Sequence, residues 1–203
     1  RVKTCRRRRG SGGLDFASSA TGALSGITVG AVFTNLDGLS RDDRLRYDTP
    51  PLANFVLSSS FVDGGEWDVG LGYGSEFPGL KVAGKLGYAN QSATRTFPET
   101  IVSGSLSALL RSGLNLTFAG GQADDSDSAR DAIDFWYGKL GYIASIFPVG
   151  ASHFSLDYGA YDNAAASGDE GRAYGVQFVQ TIPPWGTELY AGYRNYSLDR
   201  AGA

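Results

Sequence analysis

The stretch Trp67-Asp68-Val69-Gly70-Leu71-Gly72-Tyr73-Gly74-Ser75-Glu76-Phe77-Pro78-Gly79-Leu80-Lys81-Val82-Ala83-Gly84-Lys85-Leu86-Gly87-Tyr88 decides the fold class. Trp67, Val69, Leu71 and Tyr73 recur with period 2 opposite Asp68, Gly70 and Gly72. After Pro78-Gly79 the alternation resumes, with Leu80, Val82, Leu86 and Tyr88 opposite Lys81, Ala83, Lys85 and Gly87. Successive side chains of a strand point to opposite faces, so each segment meets one apolar and one wet environment. The same pattern returns at Leu114, Leu116 and Phe118, at Phe154, Leu156 and Tyr158, and at Leu189, Ala191 and Tyr193. The expected class is all-β.

The connections narrow the class to a transmembrane antiparallel up-and-down β-barrel. Phe77-Pro78-Gly79, Ser112-Gly113, Pro148-Val149-Gly150 and Pro183-Pro184-Trp185-Gly186 read as tight turns. Longer polar links, roughly Asn90 to Pro98, Gln122 to Asp131 and Tyr161 to Arg172, fall between them. Strict alternation of short and long connections is expected of a barrel with turns on one membrane face and loops on the other. A Greek-key sandwich has no reason to keep that order. Strands of about 9 to 13 residues suit a tilted bilayer crossing. Aromatics near strand ends (Tyr73, Tyr88, Tyr142, Phe147, Trp185, Tyr193) suit a membrane-interface girdle.

Composition agrees. The 203 residues include 29 Gly and 12% aromatic residues, and no uninterrupted apolar run is long enough for a membrane helix. A single Cys, Cys5, excludes an internal disulfide framework and a Cys-rich zinc site. Residues 1–13 read as a separate leader, non-native or disordered, because Arg1, Lys3, Arg6, Arg7, Arg8 and Arg9 crowd into its first ten positions. Without those six charges, 12 Lys plus Arg face 21 Asp plus Glu. The remainder, residues 14–203, carries −9, which removes the support for a nucleic-acid partner.

At Asp37-Gly38-Leu39-Ser40-Arg41-Asp42-Asp43-Arg44-Leu45-Arg46-Tyr47-Asp48-Thr49-Pro50 the sequence resembles the general Gram-negative, trimeric outer-membrane porin family. It is most like the branch with an R-x-R-Y-D-[ST]-P strand after the constriction loop. Trp67-Asp68-Val69, Ser112 to Phe118, Trp136 to Tyr142 and Gly186 to Arg194 extend the likeness over about Leu14 to Arg200. The resemblance implies a homotrimer of 16-stranded barrels in outer-membrane lipid and lipopolysaccharide, each narrowed by an inward third loop, passing small hydrophilic solutes and ions. It implies no cofactor. On that plan Ile27 to Phe33 is the strand entering the loop, about 34–43 is the end of the loop, and Leu45 to Leu189 spans roughly strands six to fifteen. About four leading strands and the closing aromatic strand are missing from the plan. The chain is therefore expected to be a partial barrel of about 10–11 strands, with two unpaired edges and no closed pore of its own.

The candidate residues follow from charge and alternation. Asp37, Asp42 and Asp43 are the loop acids of the expected constriction, and Arg44 and Arg46 are the facing wall cations; opposed charges at a narrow point set ion preference. Arg44, Arg46 and Asp48 share one strand face and Leu45 and Tyr47 the other, so alternation points the arginines into the lumen. The competing reading is a solvated turn with local ion pairs over Arg41 to Arg46. Asp48, Lys81, Lys85, Lys139 and Arg194 are lumen-wall candidates, since a lipid-facing cation near the midplane costs about 2–4 kcal/mol. Asp124, Asp125, Asp127, Asp131, Asp169 and Glu170 read as external loop charge; residues 124–131 lack the Gly and closing Glu of a calcium loop, so no metal site is expected. Two rivals stand beside the channel: a soluble β-sandwich or lectin-like binding domain, and a non-pore outer-membrane barrel enzyme. For the enzyme, His153 and Ser155 could pair on one strand face as base and nucleophile, without a recognisable oxyanion hole. No catalytic residue is assigned.

Overall fold

A computed structural model describes residues 2–7, 13–39, 42–91, 98–124 and 130–201, with the backbone alone for 2–7. Among these residues the chain forms thirteen strands. They are β1 (Val2–Arg7), β2 (Leu14–Ser18), β3 (Leu24–Thr28), β4 (Arg44–Asp48), β5 (Phe55–Val62), β6 (Trp67–Phe77), β7 (Leu80–Asn90), β8 (Thr100–Leu110), β9 (Leu114–Asp124), β10 (Ile133–Phe147), β11 (Gly150–Asp162), β12 (Glu170–Ile182) and β13 (Thr187–Asp199). One helical turn, α1 (Val29–Val32), follows β3. All thirteen strands belong to one sheet, in the order β3-β2-β1-β13-β12-β11-β10-β9-β8-β7-β6-β5-β4. Every neighbouring pair is antiparallel, and β4 to β13 run as an unbroken meander. The sheet is not closed; β3 and β4 are its edges. No second sheet packs on it among the described residues, which removes the sandwich reading.

Alternation sets the two faces as the sequence leads one to expect. Leu45, Tyr47, Leu57, Leu86, Leu106, Leu116, Leu156 and Tyr193 all stand on the outer face and are exposed, Leu45 at 76%. Burying one such side chain is worth about 1.5–3 kcal/mol, and apolar patches this broad do not persist in water. Cross-strand aromatic pairs reinforce this face: Trp136 with Tyr158 at 5.2 Å and Phe154 with Phe178 at 5.1 Å between ring centroids. Tyr73 and Tyr193 lie inside β6 and β13 rather than at their ends, so only part of the expected girdle is positioned as one.

Two sequence expectations change in detail. The segment Ile27 to Phe33 is not a continuous strand. β3 stops at Thr28, whose Oγ1 accepts the Ala31 N–H at 3.2 Å and caps α1. The alternation of short and long connections is regular from β6 onward but fails before it, because residues 49–54 join β4 to β5 and residues 63–66 join β5 to β6. Before β2, β1 pairs Val2 with Leu198 and Lys3 with Ser197 along the edge of β13; residues 1 and 8–12 lie outside the described residues. An extended backbone beside an open strand edge satisfies donors and acceptors on both.

The tight turns are where they were expected. At Gly113, φ is +89° and an added Cβ would sit 2.2 Å from the Ile143 carbonyl oxygen, so position 113 requires glycine. The turns at 78–79, 111–113, 148–149 and 183–186 gather at one end of the strands, and the connections 91–99, 125–132 and 163–169 at the other.

Candidate pore constriction

The segment that follows β3 turns inward instead of joining the loop end. Val32 and Leu36 are buried within a cluster that includes Phe16, Ala89, Ile101, Ala123, Ile133, Phe135, Tyr161 and Leu198, all wall residues of the inner face. Phe33 makes an edge contact with Tyr161 at 4.9 Å and a tilted contact with Tyr196 at 5.0 Å. Each aromatic pair of this kind contributes about 0.5–1.5 kcal/mol beyond its buried area. Val32 fills a notch at Gly171, where an added Cβ would come within 2.5 Å of Val32 Cγ1. Further along, Gly38 comes up to Ala89. One segment thus touches both β12 and β7, which lie five strands apart, so the sheet must curl around it.

Beneath the segment lies an open cavity of about 1240 Å³. Asn35 and Asp37 line it from the inward segment, and Arg46, Asp48, Asp68, Lys85 and Arg194 from the wall. Between these charges the wall of β5 to β9 is small and polar: Ser58, Gly70, Gly72, Gly87, Ser103, Ser105 and Ser107. The charges have definite partners. Arg46 grips Asp48 as a fork, Nε donating to Oδ2 at 2.9 Å and Nη2 to Oδ1 at 2.8 Å. Arg44 stands 3.9 Å from Asp68, whose Oδ2 also accepts the Ser60 hydroxyl at 2.7 Å. Arg194 pairs with Asp157. The inward segment thus sets a carboxylate, Asp37, across an open cavity from the wall cations Arg46, Lys85 and Arg194.

A family model described as Gram-negative porin matches residues 10–201. The chain belongs to the Gram-negative porin family. Its fold is that of an outer-membrane β-barrel, here an open sheet. No curated protein compared with the chain matches it.

In this porin the expected site residues separate into groups. Asp37, Arg46, Asp48, Lys85 and Arg194 share the main cavity. Arg44, Arg46 and Asp48 are strand residues of β4 rather than parts of a solvated turn, although the Arg46–Asp48 pair is local. Asp42 and Asp43 do not line that cavity; they stand at the start of β4, where the Asp43 carbonyl accepts the Asp63 N–H at 2.9 Å. Ser40 and Arg41 lie outside the described residues. Lys81 lies nearer the turn end, on a second cavity, and binds Glu76 at 2.8 Å. Lys139 faces a third, with Asn115, Ser155 and Gln177. His153 and Ser155 border this third cavity too, and no hydrogen bond joins them.

The external acids are accounted for in part. Asp169 and Glu170 pair with Arg200 and Arg172, and Asp125 and Asp127 lie outside the described residues. Among the described residues no cluster of His, Cys, Asp or Glu is placed to hold a metal ion.

Sequence reading missed the inner aromatics Phe135, Tyr137, Tyr161 and Tyr196. The signal was present in Phe135-Trp136-Tyr137, where three consecutive aromatics must load both faces of one strand. It also missed Asp157, which lies beside the outward Leu156 and Tyr158.

Proposed function

We propose that this porin is a passive diffusion channel for small hydrophilic solutes and ions. It works as a homotrimer in the outer membrane, and its ion preference is set by an eyelet. Asp37 supplies the inward carboxylate, and Arg44 and Arg46 the facing cations. Asp48, Lys81, Lys85, Lys139 and Arg194 line the wall along which the potential is graded, while Asp42 and Asp43 add negative charge at its rim. The observation that carries this reading is the inward course of residues 29–39, which brings Asp37 onto the same cavity as Arg46, Lys85 and Arg194. The outward leucines support lipid on the other side. No bond-making chemistry is assigned to the wall, and solutes cross it down their own gradients.

Planar-bilayer recording of the full-length protein tests this. Stepwise openings in threes are expected, and the double variant Arg44→Glu, Arg46→Glu is expected to shift the reversal potential towards cations. An unchanged reversal potential removes both arginines from the eyelet. Correct insertion without conductance rules out the channel.

A further inference from the structure

Arg194 faces the lumen, but its charge is already engaged. Its Nη2 donates to Asp157 Oδ2. The two residues sit on strands that are not neighbours: β12 lies between them, and both register against Gly175. A Cβ at position 175 would stand 2.9 Å from Asp157 Oδ1 and 3.3 Å from Arg194 Cγ. The missing side chain is therefore the space through which arginine and carboxylate meet. The Asp157 side chain is fully buried, whereas a third of Arg194 remains exposed. Asp157 Oδ1 has no hydrogen-bond partner, so Arg194 is the group that compensates this carboxylate. A sealed carboxylate with one cation holds that cation firmly, because releasing it leaves a buried charge uncompensated. The Tyr196 ring, 5.6 Å from the guanidinium carbon, flanks the same arrangement. On the opposite side Lys139 registers against Asp157, yet it makes no ion pair with a described residue.

We propose that Asp157 is a selectivity-determining residue of this pore: through the gap at Gly175 it tethers Arg194 to the wall and cancels its charge, leaving Lys139 as the effective cation of β10 to β13. The inference rests on the channel reading above. Two cations that alternation alone ranks equally become unequal, because only one has a buried counter-charge beneath it. The Arg194–Asp157 pair as a whole adds no net charge to the lumen, whereas Lys139 adds one.

The test is reversal potential in a salt gradient, measured on the full-length protein, with heat-modified gel migration confirming that each variant is folded. Lys139→Gln is expected to move the potential towards cations by more than the double variant Asp157→Asn, Arg194→Gln does, because the double variant removes both members of a neutral pair. Asp157→Asn is expected to move it towards anions, because Arg194 loses its counter-charge and its tether. The double variant should stay near the wild-type potential, since it leaves the net charge of the wall unchanged. A double variant that moves the potential as far as Lys139→Gln, or an Asp157→Asn variant that leaves it unmoved, overturns the proposal. If Asp157→Asn alone does not insert, the double variant, which leaves no uncompensated partner, is compared with Lys139→Gln and decides. A wild-type protein that inserts without conducting defeats the channel reading instead, which keeps the two failures apart.

Discussion

The inner faces of β5–β9 and β10–β13 differ, although their outer faces are alike. Outward, both halves carry leucines and aromatics, with Leu106 on β8 and Leu156 on β11 about equally exposed. Inward, the first half shows Ser58, Gly70, Gly72, Ser103 and Ser105, and the second shows Phe135, Tyr137, Tyr161 and Tyr196. Lipid imposes one demand on every strand, so the outer faces converge. The lumen imposes two demands, a seat for the inward segment and an open passage. Bulk collects where Phe33 docks, and small side chains line the space that remains.

The sharpest way to break this contrast is Phe33→Ala. Removing the ring that sits against Tyr161 and Tyr196 should cost about 3 kcal/mol, the low end for aromatic truncation because Phe33 is only half-buried. The loss is to be read from urea unfolding in lipid vesicles, with a rise in single-channel conductance as the segment loosens. Next comes the shared outer face. Leu106→Arg and Leu156→Arg should each cost about 2–4 kcal/mol, the range for a cation near the bilayer midplane. A clear inequality between them in the same unfolding assay would show that the halves face different surroundings. The smallest effect on stability belongs to Ser105→Tyr on the open wall, within about 1 kcal/mol of wild type by the same measurement. Its conductance should nevertheless fall, since the added ring projects into the passage.

Period-2 alternation made much of this legible in the sequence. It separated Lys81 and Lys85 from Val82 and Leu86, and it turned Arg44, Arg46 and Asp48 away from Leu45 and Tyr47. The turns at Gly113 and Gly186 were equally plain, because a positive φ selects glycine. The inward segment was harder to read. Ile27 to Phe33 keeps enough apolar residues to pass for a strand, and the reason that it is not one is tertiary: Val32 and Phe33 have places to go at Gly171, Tyr161 and Tyr196. Asp157 stayed hidden for a related reason. Its role depends on β11, β12 and β13 lying in register at Asp157, Gly175 and Arg194, a coincidence spread over three separate stretches of chain.

The edges of the sheet carry one more consequence. β3 and β4 occupy the first and thirteenth positions of an order in which each neighbour reverses direction. They consequently run the same way, and an antiparallel ladder cannot join them to each other. The seam is keyed by direction: one strand running against both edges fits it, as do three in alternation, while a two-stranded hairpin does not. Any addition that completes the cylinder by the pairing used everywhere else in this porin brings the number of strands to an even total.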